Sequence, residues 1–530
     1  MLDYTIKIKQ LIDELKAACA AGGLSGDGGE YKIVTQSFLY KFLNDKFLFE
    51  AQQAGYSNID AVSDEQYDIL KCELSFNFPR EYRIEALYTR QNEADFYKTF
   101  NNVLKTIAEA NSDIFSIQTD EQTKVRLFDD ELFSIVADES KRNQLARAVI
   151  NKLSIQKIDF QAAFNQGYDF FATIFEYMIA DYNANGGGKY AEYYTPRSVA
   201  RIMAEILVGD KEYKGVKILD PSAGSGTLLM SIAHKIGINR CNIYSQDISQ
   251  KSSKLLQLNL LLNDLSGSIH NVVQGNTITH PIYGINDKFD FIVSNPPFNL
   301  DFSEYRDFVA DNPAYRERFF AGVPNIPNKK KESMSIYLLF VQHLIYALKN
   351  TGKGAIVVPT GFITAQSGIE KTIRQKLIEN NWLHGVVSMP ANIFANTGTQ
   401  VSVVFIDKSP ETKRPVFIDA SKLGTQIKDG KNQRTVLSAA EEAQIVKAFL
   451  CHDNIEDFSI HPSEEEIVAK NYSFSAGQYF DIKIEHIPIS QSEFKQKMSD
   501  YQQELSQLFA QSNALEKEIF TNLEKVFLQE

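Results

Sequence analysis

The chain has 530 residues, of which 44% are hydrophobic and 23% charged, and its formal net charge at pH 7 is −12. This composition is typical of a globular protein that is long enough for two to four domains. A protein that held DNA alone by neutralising phosphates would usually be more basic. The negative net charge therefore predicts that nucleic acid is not the substrate, or that a partner chain supplies much of the binding to DNA.

The four cysteines are scattered along the chain and form no Cys-x-x-Cys pair. This argues against a zinc site and a disulfide framework, so we expect no metal and a reducing compartment. The sequence shows neither a signal peptide nor an apolar run of about 18 residues. We therefore expect a cytoplasmic protein that does not engage a membrane.

A helical domain is predicted for residues 1–160. Apolar residues recur there at the spacing of one helix face, as at Ile8, Leu11 and Leu15. Such stripes usually pack a helical core, and no catalytic constellation accompanies them. The pattern does not distinguish internal packing from the docking of a partner or of DNA.

The segment Tyr193-Tyr-Thr-Pro196 precedes the next predicted helix. Thr195 has the side chain of an N-cap, and Pro196 suits the first helical position. The tyrosines before the helix either wall a pocket or belong to a surface loop.

A short strand at Lys217–Asp220 is predicted to lead into the turn Pro221-Ser-Ala-Gly-Ser-Gly226 and then into a helix. Gly224 and Gly226 allow a ligand to approach the backbone, and the helix N-terminus offers free N–H groups. The turn is neither a GxGxxG fingerprint nor a phosphate-binding loop, because no Lys-Ser/Thr pair follows Gly226. A nucleoside triphosphate is therefore not expected.

Polar residues also follow the next two predicted strands. Asp247 comes 21 residues after Gly226, a spacing typical of an acid that binds ribose hydroxyls, although an Asp there could instead cap a helix. Asn276 follows the strand that starts at Val272. Alternating strands and helices predict a doubly wound, Rossmann-like parallel sheet. In such a sheet these strand ends meet Asp220 at one edge and form a cofactor cleft.

The strand Phe289–Ser294 leads directly into Asn295-Pro-Pro-Phe298. Two prolines cannot continue a strand, so Asn295 is predicted to lie at its carboxyl end, beside the cleft. This segment suits the binding of a planar ring that bears an amine. The Asn295 amide and the Pro296 carbonyl offer polar groups, Pro297 fixes the chain, and Phe298 offers a flat ring. The alternative interpretation is a proline-rich turn with a core phenylalanine.

Residues 300–331 are predicted to form a long polar loop, and such loops are usually functional or mobile. The cluster Lys329-Lys330-Lys331 is typical of a solvated loop, but beside a reaction site it could contact phosphate. His343 lies on an apolar helix face, where we expect a structural role.

Heptads begin after Ser490, which with Glu493 forms a predicted capping box. Apolar residues then alternate at spacings of four and three, with Ser512 in one core position: Phe494, Met498, Tyr501, Leu505, Leu508, Leu515 and Ile519. A lone helix of this kind would be unstable, so it pairs within the chain or with a partner. We assign residues 161–475 to the α/β domain and 476–530 to a C-terminal helical or coiled-coil segment.

Four segments together resemble the motifs of N6-adenine DNA methyltransferases. In chain order they are Glu192-Tyr-Tyr-Thr-Pro-Arg197, Asp220–Gly226, Asp247 and Asn295–Phe298. With the helical N-terminus, the segment Met389–Phe394 and the heptads, nearly the full chain resembles the modification (M, HsdM-like) subunit of type I restriction–modification systems. Asp247 stands where this family often has Glu, and Asn276 stands where Asp is common.

The resemblance implies a class I S-adenosylmethionine-dependent methyltransferase domain, with S-adenosylmethionine as the cofactor. Asp220 would lie near its methionine end, and Asp247 would bind its ribose. The amide oxygen of Asn276 would accept a hydrogen bond from its adenine amine, but as a neutral group and not as a carboxylate. The other implied cofactor contacts are Glu192, Tyr193, Tyr194, Thr195, Pro196, Arg197, Gly224, Ser225, Gly226 and Thr227.

The implied activity is that of a site-specific, adenine-specific DNA methyltransferase, which acts on the N6 amine of a flipped-out adenine in double-stranded DNA. Asn295 Oδ1 and the Pro296 carbonyl would each accept one N–H, and Phe298 would stack on the base, with Phe394 as a weaker second wall. The absence of a Pro-Cys pair argues against cytosine-C5 chemistry. Two alternatives remain open: a methyltransferase acting on RNA or on a protein Asn or Gln side chain, and a non-catalytic scaffold.

About 55 residues remain beyond Ala476, too few for a separate target-recognition domain. We therefore expect another chain to read the DNA sequence. In the resembled family this is the specificity (S) subunit, which pairs with two M subunits, and a restriction (R) subunit completes the complex. The C-terminal heptads are the predicted docking surface for the S subunit.

Overall fold

The computed structural model describes residues 2–24, 28–121, 123–126, 128, 131–154, 160–161, 164, 174, 177, 195–394, 400–409, 414–429, 432–480 and 490–527. Contacts divide the chain into two compact units, Met1–Phe480 and Asp481–Glu530. Among the described helices, none combines the length and the apolar character that crossing a membrane requires.

The N-terminal part of the first unit is helical, as predicted, apart from one short hairpin. Helices α1 to α7 span Leu2–Ala21, Gly28–Gln53, Asp64–Glu73, Ile84–Thr89, Phe96–Ala110, Ser112–Phe115 and Glu139–Leu153. The hairpin lies between α6 and α7 and consists of β1 (Ile117–Thr119) and β2 (Lys124–Val125).

One large sheet organises the rest of this unit. Its further strands are β3 (Val216–Asp220), β4 (Cys241–Asp247), β5 (Val272–Gln274), β6 (Phe289–Ser294), β7 (Leu348–Pro359), β8 (Leu383–Ser388), β9 (Val401–Asp407), β10 (Val416–Asp419) and β13 (Ser459–Ile460). A separate hairpin is formed by β11 (Thr425–Asp429) and β12 (Asn432–Val436). The spatial order of the sheet is β13-β10-β8-β9-β7-β6-β3-β4-β5-β1-β2.

The central strands of the sheet run parallel, and β9 is antiparallel to both β7 and β8. From β3 the chain moves outward through β4 to β5, and it then returns to the other side of β3 to form β6. The strand order therefore reverses between β3 and β6. In open α/β sheets the crevice beyond the carboxyl ends at such a reversal is where ligands bind.

Helices cover both faces of the sheet, as the doubly wound prediction requires. They are α8 (Arg197–Val208), α9 (Thr227–Ile236), α10 (Gln250–Leu262), α11 (Ser303–Asp311), α12 (Tyr337–Ala347), α13 (Gly361–Thr364), α14 (Gly368–Glu379), α15 (Ala439–Cys451) and α16 (Glu464–Ala469). Neighbouring strand residues point to opposite faces. Ile218 and Val293 accordingly join one buried cluster, and Leu219 and Ile292 join the other.

The segment 300–331 differs from the predicted irregular loop, because α11 lies within it. Asp301 Oδ1 accepts the Ser303 backbone N–H at 3.0 Å and orders the first turn. Within the helix only Val309 is buried. A single buried apolar residue leaves no helical periodicity for sequence analysis to detect.

The second unit consists, in its described part, of helix α17 (Gln491–Phe527). The predicted capping box is present: the Ser490 hydroxyl accepts from the Glu493 N–H at 3.2 Å, and the Ser490 N–H donates to the Glu493 carboxylate at 2.8 Å. The apolar heptad residues are about half exposed; Leu505 and Leu508, for example, are 53% and 54% exposed. The helix therefore offers an exposed apolar seam, interrupted at Ser512, that a partner could bury.

A buried ion pair lies within the N-terminal helices. Lys41 Nζ lies 2.8 Å from Asp45 Oδ2, and both side chains are fully buried on α2. The Asp45 carboxylate also accepts from the Asn44 amide at 2.9 Å and from the Phe160 backbone N–H at 2.8 Å. These bonds compensate for removing the carboxylate from water.

We predict that Lys41→Met lowers the free energy of unfolding by about 3–5 kcal/mol, because it leaves the Asp45 charge buried without a counter-ion. Denaturant titration followed by circular dichroism measures the effect. Lys98→Met is the matched control, since Lys98 forms an exposed pair with Asp95 at 3.0 Å and its loss should leave the free energy of unfolding nearly unchanged. Equal effects of the two substitutions would contradict this account.

Candidate active site

The turn 221–226 is held against the ends of the strands on both sides of β3. On one side, the Gly224 N–H donates to Asp247 Oδ2 at 2.9 Å, at the end of β4. On the other side, the Ser222 and Ser294 hydroxyls are hydrogen-bonded at 2.6 Å, at the end of β6. The turn therefore lies across the reversal in strand order and joins its two sides.

Gly226 is the residue at which this turn becomes helix α9. Its φ is +80°, in the left-handed region, and a Cβ there would overlap the Leu256 side chain. Glycine alone fits both conditions without strain. Next to it, the Ser225 carbonyl accepts from the Asn259 amide at 2.9 Å, and the Ser225 and Thr227 hydroxyls lie 3.1 Å apart. The first turn of α9 is thus fixed with its N-terminus at the sheet edge.

Asp247 does not cap the helix that follows it. Ser249 is the N-cap of α10 and accepts from the Ser252 N–H at 3.2 Å. The two oxygens of Asp247 accept the backbone N–H groups of Ser249, at 2.8 Å, and of Gly224. A carboxylate offers about four acceptor sites, so about two remain for a ligand such as a pair of hydroxyls. The ribose role of Asp247 stays a prediction that this geometry fits.

Asp220 ends β3 and is 1% exposed. Its Oδ1 accepts the Ser222 N–H at 3.0 Å. Burial, reinforced by the nearby Asp247 charge, raises the pKa of Asp220 to about 8. The Asp220 carboxyl group is therefore largely protonated at neutral pH, and it contacts the first part of the turn 221–226.

Asn295 directly follows β6, as predicted, and its Nδ2 donates to the Thr195 hydroxyl at 3.2 Å. The prediction that Thr195 caps the next helix is wrong by one residue. Helix α8 begins at Arg197, Pro196 is its N-cap, and no side chain caps it. The Thr195 hydroxyl is turned toward Asn295 instead. Because the amide nitrogen is engaged, Asn295 Oδ1 is left as an acceptor that no described residue uses.

Pro296 is buried after Asn295, whereas Pro297 is exposed. The half-buried Phe298 ring meets Tyr337 edge-on, with centroids 6.2 Å apart and an interplanar angle of 74°. Phe394 is half-buried and packs against the other core cluster. The three lysines Lys329, Lys330 and Lys331 are all exposed. Their predicted roles at a substrate remain predictions.

A cleft of about 400 Å³ opens beside Asp247, lined by residues that follow β4 and β5 and by the β1–β2 hairpin. Its lining is Thr119, Asp120, Glu121, Thr123, Ile248, Gln274, Gly275, Asn276, Thr279, His280 and Tyr305. Asn276 therefore lies in a cleft next to the turn. Its Oδ1, however, accepts the backbone N–H groups of Ile278 and Thr279 at 3.0 and 3.3 Å. Its oxygen is thus directed at its own loop, which differs from the expected acceptor role.

His343 is fully buried, and its Nδ1 accepts from the Arg318 Nε at 2.9 Å. Burial lowers the pKa of His343 well below its usual range, with a further contribution from the Arg318 charge. Arg318 also donates to the Ile278 carbonyl at 2.8 Å, in the loop that follows β5. The expected structural role of His343 is therefore confirmed.

Sequence analysis missed two features of the site: the role of the Thr195 hydroxyl and the contribution of the β1–β2 hairpin. Neither has a local signal, because each depends on a partner far along the chain. The predicted contacts Glu192, Tyr193 and Tyr194 lie outside the described residues.

A family model described as N-6 DNA Methylase matches residues 166–486, more than half of the chain. The chain belongs to the N-6 DNA methylase family. Among its curated relatives, the methylase subunit of the type I restriction enzyme MpnII from Mycoplasma pneumoniae is 25% identical over 90% of this chain and 89% of its own length. The MjaIX methylase subunit from Methanocaldococcus jannaschii is 29% identical over 66% of this chain and 62% of its own length.

The fold of this N-6 DNA methylase also matches a solved structure. The type I restriction–modification methyltransferase subunit from Streptococcus thermophilus superposes with a TM-score of 0.70 at 24% identity, covering 90% of this chain and all of that one. The predicted family resemblance and the predicted α/β fold with helical flanks are therefore confirmed.

The raised pKa of Asp220 makes the stability of this N-6 DNA methylase depend on pH. Because the folded-state pKa of about 8 lies above the unfolded value near 3.8, the stabilising contribution is complete below about pH 4 and is lost as the pH rises toward 8. Asp220→Asn stays neutral throughout, so the stability of the wild type relative to this variant should fall between about pH 4 and pH 8.

Denaturant titrations at several pH values measure this difference. Asp307→Asn is the matched control because the Asp307 side chain is 77% exposed. A difference between wild type and Asp220→Asn that does not change with pH would contradict the burial of an ionisable group at this position.

Proposed function

We propose that this chain is the methylation subunit of a type I restriction–modification complex. It transfers a methyl group from S-adenosylmethionine to the N6 amine of a flipped-out adenine in double-stranded DNA. The observation that carries this proposal is the orientation of Asn295. Its Nδ2 is held by Thr195, so its Oδ1 is presented at the end of β6, next to the turn 221–226.

The residues around the turn fit S-adenosylmethionine. Gly226 supplies the left-handed backbone that carries the turn into α9, and Asp247 keeps about two acceptor sites for ribose hydroxyls beside a cleft of about 400 Å³. Asp220 is positioned under the turn for the methionine end, and Ser225 and Thr227 lie at the start of α9. When bound, the cofactor supplies an electrophilic methyl group on a sulfonium. The other cofactor contacts proposed from sequence, including Gly224, Pro196 and Arg197, flank these residues.

Asn295 and Pro296 activate the amine without a strong base. The nitrogen of an adenine amine is a poor nucleophile because its lone pair is delocalised into the ring. Asn295 Oδ1 and the Pro296 carbonyl each accept one N–H, which draws the lone pair out of conjugation and fixes its direction. Catalysis then rests on alignment and on acceptors held in place before the reaction.

The target base must leave the duplex stack to reach Asn295. The Phe298 ring lies three residues after Asn295 and is partly free of the core, which suits it to stack on an extruded base. Phe394 is proposed as a second wall. The exposed Lys329, Lys330 and Lys331 are proposed to contact phosphates.

Sequence specificity is proposed to come from a separate S subunit, in an assembly of two M subunits with one S subunit that an R subunit can join. The net charge of −12 supports a second chain that contributes to DNA binding, because phosphate binding by this chain alone would favour a basic surface. The exposed seam of α17 supplies an apolar surface on which such a partner could dock.

We predict that Asn295→Ala lowers kcat for DNA methylation roughly 10²–10³-fold, the cost of losing one preorganised hydrogen-bonding group, with little change in cofactor affinity. Transfer of labelled methyl groups by the complex assembled with its specificity subunit measures the rate. Nucleoside mass spectrometry then shows whether the product is N6-methyladenine rather than a modified RNA or protein.

Thr195→Val is the companion variant, because it removes only the hydroxyl that orients Asn295. It should lower kcat by about tenfold while leaving the KM for DNA within about twofold, since Thr195 positions Asn295 and does not contact the DNA in this proposal. Methylation by Asn295→Ala near the wild-type rate would overturn the assignment.

We predict that removing residues 490–530 abolishes assembly with the specificity subunit and leaves S-adenosylmethionine binding intact. A sharper test is Leu505→Glu, which places a charge in the seam of α17, with Gln503→Glu as the control two residues away. Only the seam variant should lose assembly, measured by light scattering of the mixed subunits. Full assembly of both the deletion and the seam variant would rule out this docking surface.

A further inference from the structure

The hairpin β1–β2 comes from the N-terminal part of the chain but forms one wall of the cleft beside the active site. Gln118 and Thr119 pair in parallel with Val273 and Gln274 of β5. The Asp120 N–H then continues the ladder by donating to the Gln274 carbonyl at 2.9 Å. The main chain of Asp120 is therefore fixed by the central sheet itself.

Thr119 and Thr123, on the two sides of the hairpin turn, are also hydrogen-bonded to each other. The Thr119 N–H donates to the Thr123 carbonyl at 2.9 Å, and the two threonine hydroxyls are hydrogen-bonded at 2.8 Å. With bonds on both sides, the half-buried Asp120 side chain has little freedom to leave the cleft.

Gly275 makes the position of this carboxylate possible. A Cβ on Gly275 would lie 2.6 Å from Asp120 Oδ2 and 2.7 Å from its Cβ and Cγ, closer than atoms can pack. The neighbouring Asn276 N–H donates to Asp120 Oδ2 at 3.4 Å. The carboxylate thus lies against the backbone that directly follows β5, while Asp120 Oδ1 accepts from no described residue.

Asn276 leaves a complementary group beside it. Both hydrogen bonds to Asn276 Oδ1 come from its own loop, so the oxygen has no lone pair left for a ligand. Its Nδ2 donates to none of the described residues and lines the same cleft. At this point of the cleft a carboxylate therefore lies beside an amide donor, and the exposed apolar side chain of Ile248 lines the same cleft.

We propose that the Asp120 carboxylate accepts a hydrogen bond from the exocyclic amine of the cofactor's adenine, while Asn276 Nδ2 donates one to the ring nitrogen N1. This inference rests on the proposed function. An acceptor beside a donor matches this edge of adenine, and the apolar Ile248 offers a surface for the ring face. The N-terminal hairpin thereby supplies the negative charge that Asn276 lacks. Cofactor binding then depends on correct docking of the hairpin against β5.

Hypoxanthine tests the proposal because its edge is reversed: a carbonyl replaces the amine, and N1 carries a hydrogen. The probes are S-adenosylhomocysteine and S-inosylhomocysteine, titrated into the full chain by isothermal calorimetry. Wild type should prefer the adenine ligand by about 100-fold, because two hydrogen bonds are mismatched in the other ligand.

Asp120→Asn should weaken binding of S-adenosylhomocysteine by about tenfold, the loss of one charge-assisted hydrogen bond. It should also reduce the preference for adenine over hypoxanthine to about tenfold or less, since an amide can donate to the hypoxanthine carbonyl. The matched control is Asp68→Asn, an exposed acid of α3 that pairs with Lys71 and does not line the cleft. It should leave both affinities unchanged.

Adding Asn276→Asp to Asp120→Asn exchanges the two groups, so that a donor faces the exocyclic position and an acceptor faces N1. This double variant should prefer the hypoxanthine ligand over the adenine ligand. Alone, Asn276→Asp should weaken binding, because it places two carboxylates side by side. An Asp120→Asn variant that keeps the wild-type preference would overturn the inference while leaving the proposed function intact. If the wild type binds neither ligand, the proposed function fails, and this inference fails with it.

Discussion

The hydrogen bond from the Gly224 backbone to the Asp247 carboxylate is the interaction on which the site depends. It fixes the turn after β3 against the end of β4, and the Ser222–Ser294 contact fixes the same turn against β6. Because parallel strands all end at one edge, these two bonds set the separation between a cofactor region and Asn295. The rest of the sheet, with its buried clusters on both faces, keeps that edge rigid.

The two sides of the turn carry different chemistry. On the β4 and β5 side, Asp247 and the cleft provide groups that suit a nucleoside. On the β6 side, Asn295 provides an acceptor whose direction is fixed by Thr195. Since Thr195 lies just before α8, the segment before that helix contacts Asn295, the proposed catalytic residue, directly. This arrangement requires no nucleophilic side chain, in agreement with the absence of a Pro-Cys pair.

Sequence analysis could predict what depends on neighbouring residues. The strand, turn and helix around Gly226, and the position of Asn295 after β6, follow from local patterns of apolar residues, glycine and proline. It could not predict the Thr195–Asn295 bond, which spans 100 residues, or the place of Asp120 beside Gly275. Asn276 shows the same limit, because its position was correct but the direction of its amide is set by its own loop.

The pairing of β1 with β5 also has a consequence for the order of folding. Gln118 leaves the ribosome about 155 residues before its partner Val273, a delay of roughly 10–30 s at usual rates of synthesis. A two-stranded hairpin is at best marginally stable on its own during that interval. The cleft wall that contains Asp120 therefore forms only after β5 has been made, so a nascent chain released before that point lacks this part of the cleft.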